Sequence, residues 1–205
     1  IGSLKDVDFI NDSILVLATN AGVMFLNKDN NNAKTTNFII PKRVGRTSAI
    51  CYQPNKNKIW VSTLKGLMVL SENKVPRFFE NIFASEIVYH NNSIWVATRD
   101  NGIYEFNKEE IVNHYTSKST LKSDIIYKIK IINDSLFVAH EKGFQIINLK
   151  NKSSLNIDNT DGLFLNRISN FTIQKNNVSL ITNKGMQTFN INSINKNKIL
   201  TAIHI

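Results

Sequence analysis

Three of the five arginines in this chain, Arg46, Arg99 and Arg167, fall in short polar segments between apolar runs. A guanidinium carries a fixed fork of donors that matches a carboxylate or sulfate group two bonds at a time. Asp124 and Asn166 occupy comparable segments and add a carboxylate and an amide. These five residues are the candidate ligand-binding set. Pairing with neighbouring carboxylates, or plain hydration, is the structural alternative for the arginines.

No pattern points to catalysis, a metal or a cofactor. The histidines His90, His114, His140 and His204 are scattered, without metal-ligand spacing. Cys51 is the single cysteine; its neighbours are apolar and no histidine pairs with it, so it reads as a core thiol. Asp124, Asp161 and Glu141 are the carboxylates that strand ends could gather, but their spacing does not show a glycosidase pair. There is no nucleophile elbow and no phosphate-cradling glycine loop. Trp60 and Trp95 occupy the same place in two apolar segments, which favours packing between sheets over stacking on sugars.

The elements that must position these residues come from a repeat. Ile59-Trp60-Val61-Ser62-Thr63 leads through a short turn to Gly66-Leu67. Ile94-Trp95-Val96-Ala97-Thr98 leads to Gly102-Ile103, and Leu136-Phe137-Val138-Ala139-His140 to Gly143-Phe144. Weaker copies run from Leu15 to Gly22 and from Val178 to Gly185. A β-rich period of about 42 residues has the size of a propeller blade. Each repeat reads as four short strands: an alternating first strand, the Trp-bearing second, a third opened by glycine, and a polar fourth. The fourth strands are read at Asn37–Ile40, Val75–Phe79, Ile111–Tyr115 and Ser154–Ile157, with Pro76 marking an edge position. The expected fold is all-β, a β-propeller of about five four-stranded antiparallel blades at 4–40, 45–80, 83–115, 121–157 and 163–205. It is expected to form part of a larger propeller, seven-bladed or double.

In an up-and-down blade, the turn between second and third strands and the connector entering the first emerge at one end. That end is expected to carry Asn20, Lys65, Arg99, Glu141 and Asn183 from the turns. The connectors add Arg46, Phe83, Asp124, Asn166 and Arg167.

The net charge of +9 admits an acidic partner or simple composition bias. Lysines scattered through Asn-rich turns favour the bias, and no nucleic-acid contact is expected of this segment. No apolar run approaches the ~20 residues that cross a bilayer, so any membrane link would run through a parent chain.

The motif set resembles the two-component regulator propeller repeat. Ile-Trp-Val-Ala-Thr, glycine and then Ile103-Tyr104-Glu105-Phe106-Asn107 carry the resemblance. So do Tyr115-Thr116 with Leu121-Lys122-Ser123-Asp124-Ile125-Ile126, where Lys122 stands at the usual proline, and Asp161-Gly162-Leu163 with Asn166-Arg167-Ile168. The final segment, Ile199 to Ile205, resembles the run-out toward a following β-sandwich. The resemblance implies a periplasmic sensor of a bacterial hybrid two-component regulator: a noncatalytic segment that binds an oligosaccharide, which the arginines allow to be anionic, and signals to a kinase that controls transcription. It also implies a homodimer in the parent protein. Two other classes stay open: a protein-interaction or dimerisation propeller without a small ligand, and a propeller-fold glycan hydrolase or lyase.

Overall fold

A computed structural model describes residues 2–29, 32–33, 36–42, 44–163, 167–194 and 201–203, with 32–33 and 201–203 as backbone alone. The chain divides into two compact units, Ile1–Thr98 with Tyr104–Asn113, and Arg99–Ile103 with His114–Ile205.

The fold is an all-β propeller of five four-stranded antiparallel sheets, each a simple meander. The first sheet holds β1 (Leu4–Phe9), β2 (Ile14–Thr19), β3 (Gly22–Asn27) and β4 (Asn32–Ala33). The second holds β5 (Thr47–Gln53), β6 (Lys58–Thr63), β7 (Gly66–Ser71) and β8 (Arg77–Glu80). The third holds β9 (Ala84–His90), β10 (Ser93–Thr98), β11 (Ile103–Asn107) and β12 (Glu110–Tyr115). The fourth holds β13 (Ile126–Ile132), β14 (Ser135–His140), β15 (Gly143–Asn148) and β16 (Ser154–Ile157). The fifth holds β17 (Ile168–Gln174), β18 (Asn177–Thr182), β19 (Gly185–Asn190) and β20 (Thr201–Ile203).

The repeat motif forms the second and third strands, and its lack of polarity has a direct cause. In the second, third and fourth sheets these strands are buried on both faces, so both alternating sets of side chains must be apolar. In the first unit, Val16, Ala18 and Phe25 of the first sheet pack on Ile59, Val61 and Met68 of the second. Trp60 and Val69 on the other face of that sheet meet Ile94, Val96 and Phe106 of the third. In the second unit, Phe137 and Phe144 meet Phe171, Val178 and Phe189. Trp60 is buried, donates from Nε1 to Gln53 Oε1 at 3.0 Å, and lies 5.3 Å from the Phe106 ring. Trp95 is buried as well. Neither is therefore available to stack on a sugar.

The first and second sheets are also joined at their first strands. Ile50 N donates to Asp6 Oδ2 at 2.9 Å, and Tyr52 N to Asp8 Oδ2 at 2.7 Å.

One expected strand is displaced. The fourth strand of the first sheet is Asn32–Ala33, not residues 37–40. The alternation at Asn37–Ile40 reads like a strand, but Phe38 is buried against Phe25, with ring centroids 5.7 Å apart. That burial turns the segment toward the second sheet, where Phe38 bridges to Glu72. Pro76 directly precedes the edge strand β8. At the C-terminal end Thr201–Ile203 pairs with β19; Ile199, Leu200, His204 and Ile205 lie outside the described residues.

Candidate functional site

The turn between second and third strands has a recurring polar lock. Thr63 Oγ1 donates to Gly66 O at 2.9 Å and accepts from Lys65 N at 3.1 Å. Thr19 and Thr182 make the same pair of bonds in their own turns. Gly66 has φ +121°, and a Cβ there would run into the carbonyl oxygen of Phe79 on the fourth strand. Gly143 has φ +135° and meets Ile157 O in the same way. Glycine at these positions thus permits both the turn and the close approach of the edge strand.

The chain enters each sheet beside that turn. Thr47 pairs with Thr63, Ile126 with His140, and Ile168 with Thr182. In all five sheets the first-strand ladder slips in register at this entry end, which re-aims the incoming connector. Within each sheet, then, connector and turn share an end.

Arg46 lies in the first unit, immediately before β5, and Arg99 in the second, at the start of its turn; both are exposed. Neither has a hydrogen bond or ion pair among the described residues. Arg167 is exposed, with its guanidinium 5.4 Å from the centre of the Tyr127 ring. Asn166 lies outside the described residues. Arg77 shows the contrasting case: Nη1 lies 3.2 Å from Glu109 Oε2, and the same carboxylate is bonded by Lys58. Burial pushes the Glu109 carboxyl up, but bonds and charge from Lys58 and Arg77 outweigh it and hold it below the usual range.

Asp124 is occupied by its own loop. Its two oxygens accept from Ser117 N at 2.7 Å and Ser117 Oγ at 2.6 Å. Burial pushes this carboxyl up, yet the Ser117 bonds, with His114 and Lys118 nearby, leave it below the ordinary carboxylate value. Gly102 N donates to Asp124 O at 2.9 Å, so the turn that begins at Arg99 rests on the Asp124 segment. No ion pair links Asp124 to an arginine among the described residues.

The groups best suited to chemistry are muted. Cys51 is buried; desolvation first, and then the Asp8 charge, push its thiol well above the ordinary range, away from nucleophilic thiolate. His140 is buried, and burial lowers its pKa to about 4, with Glu141 opposing and Lys142 adding to the shift. Its Nδ1 accepts from Lys142 N at 3.2 Å, while Nε2 is buried without a hydrogen-bond partner. Among the described residues no group of three or more His, Cys, Asp and Glu side chains is placed to hold a metal. No described helix is long and apolar enough to cross a membrane.

Two clefts in the first unit escape motif reading. One, of about 490 Å³, lies along β1, β5 and β9 and is lined by Asp6, Asp8, Glu86, Tyr52 and Tyr89. The other, also about 490 Å³, sits at the opposite end of the sheets from the Thr–Gly turns. It is lined by Ile10, Asn11, Ile14, Thr36, Asn37, Phe38, Tyr52, Asn57 and Glu72. Asn11 and Asn57 read in sequence only as turn residues, because the walls come from distant parts of the chain. The short bridging segment at Phe38 is the one structural clue to this cleft.

No protein-family model and no curated protein sequence matches the chain. Solved structures do match. The extracellular domain of the hybrid two-component system BT3049 from B. thetaiotaomicron is similar over 98% of this chain, at 19% identity and a TM-score of 0.71. The extracellular domain of the one component system BT4673 from the same organism is similar over 97%, at 16% identity and a TM-score of 0.71. The WD40 propeller domain of Doa1 is similar over 97%, at 11% identity and a TM-score of 0.69. The chain spans 30%, 28% and 67% of those three structures. At these identities the likeness establishes the β-propeller fold.

Proposed function

We propose that this chain is a noncatalytic sensor segment of a hybrid two-component signalling protein. In this reading it lies outside the cytoplasm, in the periplasm, binds a glycan-derived ligand and passes a conformational signal to a kinase that controls transcription. One observation carries the reading: the likeness, over 98% of the chain, to the extracellular domain of a hybrid two-component system. The repeat motif points the same way. Arg46 and Arg99 add support, because they are exposed and, unlike Arg77, not consumed by internal pairing. A bidentate donor held ready at a loop end suits an acidic sugar. The signal would be a population shift, as large as the ligand's difference in affinity between two arrangements of the parent protein.

A thermal-shift screen against neutral and anionic oligosaccharides tests this. The expected result is a raised midpoint for one glycan class, corresponding to about 2.7 kcal/mol at a hundredfold excess over Kd. Arg46→Ala, Arg99→Ala or Arg167→Ala should remove at least half of that gain. No shift with any glycan, together with stable self-association, would support an interaction propeller instead. That second reading draws on β12, where Ile111 and Val112 are about half exposed on an edge strand, and on the similarity to a WD40 propeller.

A further inference from the structure

We infer that the cleft between the first two sheets, at the end away from the Thr–Gly turns, is a binding site for a neutral polyhydroxylated ligand of one or two sugar rings. It is separate from the arginine-bearing loop ends of the proposed sensor reading and does not depend on them.

The argument starts from hydrogen-bond accounting. Asn11 Oδ1 accepts from Ser13 N and Ile14 N, each at 3.0 Å. Two backbone donors identify that atom as the oxygen, so the Asn11 amide NH₂ is what remains. Tyr52 donates its hydroxyl to Asn57 Oδ1 at 3.0 Å, which leaves the Asn57 NH₂ as well. The Tyr52 phenol stays a donor: burial, and then the Glu72 charge, hold its pKa above the ordinary value. Turn-building thus consumes the oxygens of these side chains and leaves unused donors on residues that line the cleft. The Asn37 side chain and the Glu72 carboxylate have no hydrogen bond or ion pair among the described residues. Glu72 therefore adds acceptors to a lining in which the amides are donors.

A sugar hydroxyl both donates and accepts, so a pair of adjacent hydroxyls suits a lining that offers both a carboxylate and amide donors. Ile10, Ile14 and Phe38 give the cleft an apolar floor for the C–H face of a ring. Its volume of about 490 Å³ lies in the range of small-ligand sites. Among the described residues no lysine, arginine or histidine lines it, and the one charge they bring is negative, which disfavours an anionic sugar. The uncharged donors outnumber that carboxylate, which favours hydroxyls over a simple cation.

The walls are also fixed in advance. Asn73 N donates to Asn37 O at 2.8 Å, Phe38 bridges to Glu72, and the Phe38 ring stacks on Phe25. This ties the 36–38 segment to the end of β7, so little ordering cost falls on binding.

The test is a titration of the ¹⁵N-labelled full chain with maltose, cellobiose and xylobiose, and with one sulfated disaccharide. The readout is the side-chain NH₂ signals of Asn11, Asn37 and Asn57. At least one neutral disaccharide should shift all three in a saturable way, and the sulfated one should not. Glu72→Ala and Asn37→Ala should each weaken binding about 10-fold, by loss of hydrogen bonds to a desolvated ligand. Arg46→Ala and Arg99→Ala should leave it unchanged. The amide spectrum of each variant reports its fold, and two separate variants guard against one that misfolds. The inference is overturned if no neutral disaccharide moves these signals at about 50 mM, or if both cleft variants bind like the parent. It is overturned too if the shifts fall on the arginine-bearing loops instead. Failure of glycan binding at those loops would leave this result standing.

Discussion

The turns at Thr63 and His140 occupy the same position in two sheets and solve the same problem with different chemistry. Thr63 uses one hydroxyl twice, giving a proton to Gly66 O and taking a bond from Lys65 N. His140 reproduces only the second half: Nδ1 accepts from Lys142 N, and the proton resides on Nε2, buried and unpaired. The turn and its glycine persist in both. Accepting the i+2 N–H is therefore what the turn requires, and the bond to the glycine carbonyl is an addition it can lose.

The largest expected effect tests what the two turns share. Gly66→Ala and Gly143→Ala should each destabilise by roughly 3 kcal/mol, because both face a positive φ and a fourth-strand carbonyl. Denaturant midpoints that stayed near the parent value would mean the edge strand moves away freely. Acid comes next and should separate the turns. The folded His140 pKa of about 4 lies below its ordinary 6.5, so the unfolded chain binds the extra proton between those values. Stability from this residue is complete above pH 6.5 and declines as pH falls toward 4, by up to about 3 kcal/mol. His140→Thr should remove that slope from the curve of stability against pH, whereas Thr63→Ala should leave it in place. At neutral pH Thr63→Ala should cost about 2 kcal/mol for two buried bonds. His140→Thr should gain about 1 kcal/mol by supplying the missing donor and removing the orphan N–H. Thermal unfolding of both variants reads this smallest contrast, and a destabilised His140→Thr would show that ring packing outweighs the unpaired proton.

The fold was legible because the repeat confines its requirements to single positions. Thr63, Gly66 and Trp60 each answer a local demand that recurs in neighbouring sheets, so residue type and spacing carry the message. Phe38 answers a tertiary demand, and its alternating neighbours imitate a strand that the chain does not form there. The candidate site was legible only in part. Arg46 and Arg99 could be placed at loop ends because those ends follow from the strand order. Asp124 resembles them in sequence, but its partner Ser117 lies in a connector without periodicity, so its role in closing that loop left no pattern. The cleft at Glu72 and Asn11 was invisible for a related reason. Its donors are defined by which oxygens the turns consume, and that depends on three-dimensional bonding rather than residue type.

Asp6 and Asp8 bring a consequence of another kind. β5 is the edge strand of its sheet, and a bare edge offers a row of amide protons to any extended chain nearby. The amides of Ile50 and Tyr52 are already taken by the two carboxylates. A foreign strand approaching β5 would meet two negative charges and no free donors at those positions. The bonds that join the first two sheets therefore also protect the molecule from edge-to-edge aggregation.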